Sequence, residues 1–448
     1  MQRGFCAVVV LAATVAYAAD PYPIRLAPDH RHVLDQTGAP FLIHGDTAWS
    51  LISALSKEDA EKYLENRRRK GVNSIIVNLI EHKFHGPVNH YGEGPFTTPG
   101  DFTTPNEKYF AHADWVIQRA AEKGIQVFLA PIYLGYPGLD EGWYKETLAN
   151  GPEKCRAWGR YVGQRYGKFD NLVWLMGGDR NPDDALAEVN AVVAGIKESD
   201  RRHLFTAHVH GENPPADQYT AGWLDLNDTY SYEIVHHRLT WDYDRKPPMP
   251  FYLIETTYEG EHNASPVQIR RQAYWAILCG AIGQFFGNMP IWLFDPGWEA
   301  AMDGTGSRDM VRLKALFDSR PWYELVPDEK HEVVVDGLGE FNGLDYLTAA
   351  RTTDGGTVIA YMPSRRTITV DMTRIAGKTA KAWWFNPRTG KSTAAGEWPT
   401  AGKHTFTPAD EGDWVLVLDD AGRNLSAPRA AVENAHSMRA GSGRGSGS

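Results

Sequence analysis

Residues 171–182 read NLVWLMGGDRNP: an unbroken apolar run from Leu172 to Met176, two glycines, Asp179, and an Asn-Pro pair. An apolar run without polar alternation, bounded by turn residues, suits a strand buried on both faces, which is the condition of a parallel sheet. The pair Asn181-Pro182 suits the entry to a helix, since proline is tolerated in the first turn. Strand, polar turn and helix make one unit of an α/β fold.

The unit recurs on both sides of this stretch. Strands are expected at Phe41 to Gly45, Ser74 to Leu79, Val127 to Ile132, Leu172 to Met176, Leu204 to Val209, Asp228 to Tyr232, Phe251 to Glu255 and Gly283 to Phe286. Between them lie helical patterns. Ser56 is an N-cap with Asp59 three residues on, and that helix stops at Lys70-Gly71. A second runs from Pro152 to Tyr166-Gly167, and a third begins at Ser265-Pro266. Eight strands alternating with helices predict a (β/α)8 barrel. Ile24 to Pro40 reads as a hairpin turning at Asp35-Gln36-Thr37-Gly38 and capping the barrel.

After Arg320-Pro321-Trp322 the pattern alternates with period two, in Thr357 to Met362, Thr367 to Met372, Lys381 to Phe385 and Trp414 to Leu418, with turn signals such as Asp354-Gly355-Gly356 between. This predicts a small antiparallel β-sandwich. The expected organisation is therefore a signal peptide over 1–19, the barrel over 20–320, the sandwich over 331–419 and a flexible tail over 421–448, which ends in alternating Gly and Ser.

The chain has 448 residues, 42% apolar and 23% charged, with a mean hydropathy of -0.42, which excludes a disordered chain and a membrane bundle. Its 46 Lys and Arg against 56 Asp and Glu give a net charge of -10, a poor match for nucleic acid or anionic lipid. Arg3, the apolar run Phe5 to Val15 and Ala16-Tyr17-Ala18 form the pattern of a cleaved signal peptide, so a periplasmic or secreted protein is expected. Cys6 would leave with that segment. Cys155 and Cys279 have no CxxC spacing and are expected to be buried thiols. The aromatic content, 15 Trp, 20 Tyr and 17 Phe, suits either a well-filled core or the stacking of sugar rings.

In a barrel of this kind the chemistry lies at the C-terminal ends of the strands. Asp179 and Glu255 each end a strand with no evident structural duty, on strands 4 and 7, which face each other. Paired carboxylates are the apparatus of glycoside hydrolysis, one as nucleophile and one as general acid and then base. Structural alternatives exist: Asp179 as a helix cap, Glu255 as the partner of an arginine. Asp46-Thr47-Ala48-Trp49 can equally bind sugar or cap the first helix. The expected substrate contacts are Asp46, Trp49, Asn78, Tyr133, His208, Tyr230, Tyr258, Asn288 and Trp292. Glu259 and Glu261 read as rim or solvent residues, and His236-His237 as a solvated loop. The histidines, with His208-Val209-His210 and His82, His85 and His90 on one loop, keep a metal-dependent hydrolase open as an alternative. A glycan-binding protein without turnover is a third. Neither a metal nor a cofactor is expected, the one partner foreseen is a carbohydrate, and there is no GxSxG elbow or phosphate loop.

Phe41 to Trp49 (FLIHGDTAW), Leu55 to Leu64 with Arg67 and Lys70 to Asn73, the block NLVWLMGGDRNP and Ala382 to Gly390 (AWWFNPRTG) together resemble the apiosidase-like glycoside hydrolases, family 140. The resemblance spans roughly residues 24 to 419. It implies Asp179 as acid/base, Glu255 as nucleophile, a pentose such as apiose as the sugar released from plant glycans or glycosides, and a C-terminal domain of the collagen-binding type. His44, Thr256 and Phe286-Gly287-Asn288 depart from the family pattern and are expected to border the pocket.

Overall fold

The structure, a computed structural model, describes residues 21–82 and 84–428. The expected signal segment with Cys6, and the chain beyond 428, lie outside these residues. Eight parallel strands form the first domain: β1 Ile43–Thr47, β2 Ser74–Asn78, β3 Gln126–Ala130, β4 Leu172–Gly177, β5 Phe205–His208, β6 Asn227–Tyr230, β7 Phe251–Glu255 and β8 Gly283–Phe286. They pair in the order β5-β4-β3-β2-β1-β8-β7-β6. The barrel is thus nearly closed, with one joint, between β5 and β6, where no strand ladder forms among the described residues. Every residue of all eight strands is buried, as the unbroken apolar runs require. Gly283 is obligatory at φ +134°, because a Cβ there would stand 2.0 Å from the carbonyl oxygen of Ile43.

The helices obey the local signals. Helix α1, Lys57–Arg69, starts where the Ser56 side chain accepts from the backbone N–H of Asp59 and ends at Lys70, before Gly71 at φ +72°. Helix α2 spans Glu107–Glu122. Helix α3, Tyr144–Tyr166, is broken by Gly151 at φ +65°, so its second half begins at Pro152 as expected and its first half was invisible to periodicity. Helices α4 and α5 span Leu186–Lys197 and Val235–Asp244. Helix α6, Pro266–Leu278, is capped by Ser265, which accepts from Gln268. Helix α7 spans Thr305–Asp318.

The N-terminal segment turns twice, the second time at Asp35 to Gly38 as expected, where Leu34 bridges Pro40 antiparallel and the Phe41 N–H donates to Val33 O at 2.9 Å. Its strands, Arg25–Leu26 and Val33–Leu34, are joined across residues 27–32, and Asp35 to Gly38 forms a second turn, in which Asp35 Oδ1 accepts from the N–H groups of Thr37 and Ala39. Tyr22, Ile24 and Val33 all bury against the barrel, so the segment caps it as expected, and the turn over residues 27–32 is the one that the sequence did not announce.

The second domain holds β9 Leu325–Pro327, β10 Val334–Asp336, β11 Thr348–Thr352, β12 Thr357–Met362, β13 Ile368–Asp371, β14 Thr379–Asn386, β15 Lys391–Pro399, β16 Lys403–Phe406 and β17 Trp414–Asp420. They make a six-stranded sheet, β9-β11-β12-β17-β14-β15, and a three-stranded one, β10-β13-β16. Helix α6 is the shared wall between the domains. Arg270 on it donates to Asp413 at 2.6 and 2.9 Å and to Asp309 at 2.7 Å. Tyr274 stacks on Tyr361, centroids 4.5 Å apart and planes 2° from parallel, and Trp275 donates to the Tyr346 carbonyl at 3.0 Å. Arg320 pairs with Asp419 at 2.7 Å and also donates to the Ser426 carbonyl. Residues 421–428 are therefore anchored and not part of a free tail, because arginine and serine side chains take up their carbonyls.

Candidate active site

The C-terminal ends of the strands surround a cavity of about 230 Å³. Asp179 reaches it from a turn in which three consecutive residues take positive φ: Gly177 at +82°, Gly178 at +129° and Asp179 itself at +48°. Glycine is required at the middle position, since a Cβ on Gly178 would lie 2.2 Å from the Tyr133 ring. The turn is pinned by Leu134 N–H donating to Gly177 O at 3.1 Å and Gly178 N–H to His208 O at 2.7 Å. Asp179 caps no helix; the following turns start at Pro182 and Ala185. A non-glycine residue held at positive φ marks a position whose side-chain direction matters.

Glu255 ends β7 on the facing side. His208, fully buried at the end of β5, lies between the two carboxylates: its Nε2 is 2.7 Å from Asp179 Oδ1 and 3.2 Å from Glu255 Oε2, while Nδ1 is 3.2 Å from Asp228 Oδ2. One donor atom from each of Asp179, His208 and Glu255 lies within 4.8 Å of the other two. Such a trio could hold a cation only after Nε2 gave up its proton. The Tyr133 hydroxyl donates to Asp179 Oδ2 and lies 3.2 Å from Glu141 Oε1.

Burial and the negative charge of Asp179 hold the Glu255 carboxyl above the ordinary carboxylate range, against the opposing pull of His208. Burial by itself disfavours an imidazolium at His208, but hydrogen bonds to Asp179, Asp228 and Glu255 outweigh it and hold its pKa well above the usual value. The upward carboxyl shift thus falls on Glu255, where the resemblance implies the proton at Asp179.

Five of the nine expected substrate contacts line the cavity: Trp49, Tyr133, Tyr230, Tyr258 and Trp292. Four do not. Asp46 is buried behind the wall, its Oδ2 receiving Arg67 Nε at 2.6 Å and the Tyr63 hydroxyl at 2.5 Å. Asn78 is buried against Glu81, whose pKa burial pushes up to about 7. Asn288 donates to Glu259 at 2.9 Å, and Glu259 also accepts from the N–H of Gly306, so Glu259 is a structural acceptor and not a rim residue. His208 meets carboxylates in place of substrate. The three family departures are likewise absent from the lining: His44, with a pKa lowered to about 3 by burial, faces outward from β1, and Thr256 bonds Gln272.

The other histidines are scattered. His82 pairs with Glu146 at 2.9 Å. His236 and His237 open α5 and both contact the Phe341 carbonyl of the second domain, so they are docking groups and not a solvated loop. Cys155 and Cys279 are free, buried thiols, as expected.

Sequence reasoning missed Phe84, Tyr136, Leu139 and Glu141, on loops around the mouth, and Met289, which opens the short helix Met289–Leu293. It also left Glu261 at the rim. In the structure Glu261 accepts from the Tyr258 N–H at 2.9 Å and from the Tyr232 hydroxyl, and it lines the cavity. Glu141 had a signal of its own, an acidic residue among glycines shortly after strand 3.

Residues 27–324 match the family profile described as "Apiosidase-like, catalytic domain", and 326–419 match that of a "Putative collagen-binding domain of a collagenase". A solved structure described as "Glycoside hydrolase" is 27% identical, superposes at TM-score 0.80 and is covered over 97% of its length by 89% of this chain. Another, a glycoside hydrolase family 5 from Bacteroides vulgatus ATCC 8482, is 23% identical at TM-score 0.81, with 90% of this chain matched to 95% of that one, and shares the fold. No curated protein matches. The profile match covers well over half the residues and contains both facing carboxylates: the chain belongs to the apiosidase-like family, within the glycoside hydrolases.

Proposed function

We propose that the protein is a retaining O-glycosidase that releases a terminal pentose, of the apiose type, from plant glycans or glycosides, and that it acts outside the cytoplasm after losing residues 1–19. The observation that carries the retaining mechanism is the closeness of Asp179 and Glu255, with an oxygen of each inside 4.8 Å of the other. Retaining enzymes hold their carboxyl groups about 5 to 5.5 Å apart, and inverting ones about 6.5 to 9.5 Å to leave room for a water.

Glu255 attacks the anomeric carbon while the bond to the leaving oxygen breaks and Asp179 delivers its proton to that oxygen. Water then attacks the glycosyl-enzyme, giving its proton to Asp179 and releasing Glu255. Before attack the proton that burial favours on Glu255 must sit on Asp179, and His208 Nε2 touches both. Trp49, Trp292 and Tyr230 line the cavity and supply the apolar surface against which a sugar packs.

The test is hydrolysis of nitrophenyl pentosides and apiose-containing glycosides, with proton NMR of the nascent sugar. Retained configuration and indifference to chelator are expected. An inverted product sinks Glu255 as nucleophile, loss of activity in EDTA sinks the metal-free mechanism, and binding without product sinks the enzyme reading. Azide rescue of Glu255→Ala, giving a glycosyl azide of inverted configuration, assigns the nucleophile independently.

A further inference from the structure

His208 has carboxylate oxygens at both ring nitrogens, and the two sides come from different places. Asp179 on the turn after β4 and Glu255 on β7 face Nε2; Asp228 on β6 faces Nδ1. Asp228 is completely buried and does not line the cavity. Its other oxygen, Oδ1, meets no donor among the described residues, so His208 is its compensating partner. The contact also spans the joint between β5 and β6, where the strand ladder is interrupted.

A neutral imidazole has one N–H and one lone pair, so in this setting its lone pair would point at a carboxylate oxygen. Asp179 Oδ2 already accepts from the Tyr133 hydroxyl, so Oδ1, 2.7 Å from Nε2, is the acceptor left to face the ring. Both ring nitrogens are therefore donors. Resting on the glycosidase reading above, we infer that Asp228 is a positioning residue that holds His208 as an imidazolium, whose Nε2–H lies between Asp179 and Glu255 and passes the catalytic proton from one to the other.

The step balances: the Nε2 proton goes to Asp179 Oδ1, the Glu255 carboxyl proton goes to Nε2, and the imidazolium is regenerated with Glu255 ionised and Asp179 protonated. The remaining neighbours do not supply a competing charge at the ring. Trp49 stacks on it at 5.8 Å, Tyr230 packs at 4.8 Å, and Tyr133 is occupied by Asp179. Around Asp228 stand the tyrosines Tyr219 and Tyr252 and the pair Asp242 and Arg238, themselves 3.1 Å apart.

Asp228→Asn keeps the size and an acceptor for Nδ1 but removes the charge. Nitrogen-detected NMR of the imidazoles, with the His208 signal identified by its loss in His208→Gln, is expected to show a doubly protonated ring in the wild type between about pH 5 and 8, and a ring that titrates to neutral in that interval in D228N. Without the positive charge Glu255 ionises less readily, so the acid limb of kcat should move to higher pH and kcat fall by about tenfold or more, with KM nearly unchanged. A neutral His208 in the wild type at pH 7 overturns the inference without any variant. So does a D228N ring that stays charged, or a D228N enzyme with a wild-type pH profile and only a lower melting temperature. The NMR readout needs no turnover, so a protein that hydrolyses no glycoside would refute the proposed function while this measurement still judged Asp228.

Discussion

Replacing Asp46 by leucine is expected to cost stability and leave chemistry alone, the opposite of what a substrate-binding aspartate would do. The Asp46 and Arg67 side chains are only 2% and 1% exposed and 2.6 Å apart. In D46L the guanidinium remains held by the Met302 carbonyl at 3.1 Å and by Asn66 at 3.2 Å, so it cannot swing out to solvent. Breaking a buried pair by removing one partner costs about 3 to 5 kcal/mol, because a charge is left without compensation. At about 1.4 kcal/mol per tenfold, that is between roughly two and four powers of ten in the folding equilibrium. Removing both charges, in D46L/R67M, should recover most of this, since apolar replacement of a whole buried pair is often neutral or better. The assay is urea unfolding followed by tryptophan fluorescence, with kcat/KM measured on each variant where it is folded. A D46L protein as stable as the wild type, a double variant weaker than D46L, or a loss of kcat/KM at unchanged stability would refute the reasoning.

Glu255→Gln and Asp179→Asn should each lower kcat by about 10² to 10⁴ while the protein still folds, read on a substrate with a poor leaving group. Because Glu255 must be ionised to attack and its pKa is raised by burial and by Asp179, the rate should fall as pH drops through a midpoint above the 4.5 of an ordinary glutamate; a midpoint at or below that value contradicts the electrostatics. Gly178→Ala forces a Cβ to 2.2 Å from the Tyr133 ring, so it should cost at least about tenfold in kcat, and wild-type turnover would show the turn to be slack. Ending the chain after Phe317 exposes Tyr274 and Trp275 of α6 and leaves Arg270 without Asp413, so insoluble protein is expected; a soluble, active barrel would dismiss the second domain as a structural partner.

The barrel was legible because its strands are buried on both faces: Phe251 to Glu255 and Gly283 to Phe286 stand in the structure where the apolar runs begin and end. β1 came out two residues later than expected, since Phe41 and Leu42 are apolar for the hairpin and not for the ladder. The strand-end rule found Asp179 and Glu255 because it selects by position. It misplaced Asp46, Asn78 and Asn288 for the same reason: a polar residue at a strand end can turn outward to a helix, as Asp46 does to Arg67, and no one-dimensional pattern shows which way it turns. Glu141 and Glu261 escaped because their loops fold back over the mouth, a tertiary event without periodicity. Asp228, read only as the first residue of a strand, gains its meaning from His208 across the joint.

The clamp on helix α6 also sets a timetable for synthesis. Arg270 is separated by 143 positions from Asp413, and Arg320 by 99 from Asp419. At about 5 to 20 residues per second, a ribosome needs roughly 7 to 30 s to supply the partner of Arg270 after making the arginine itself. From Asp318 onward every barrel element has been made, yet one wall still shows aromatic rings, with Arg270 held by Asp309 alone and Arg320 still without Asp419. The nascent chain is then a substrate for chaperones, and synonymous codon changes that slow translation across the second domain would lengthen that exposure without altering a single amino acid.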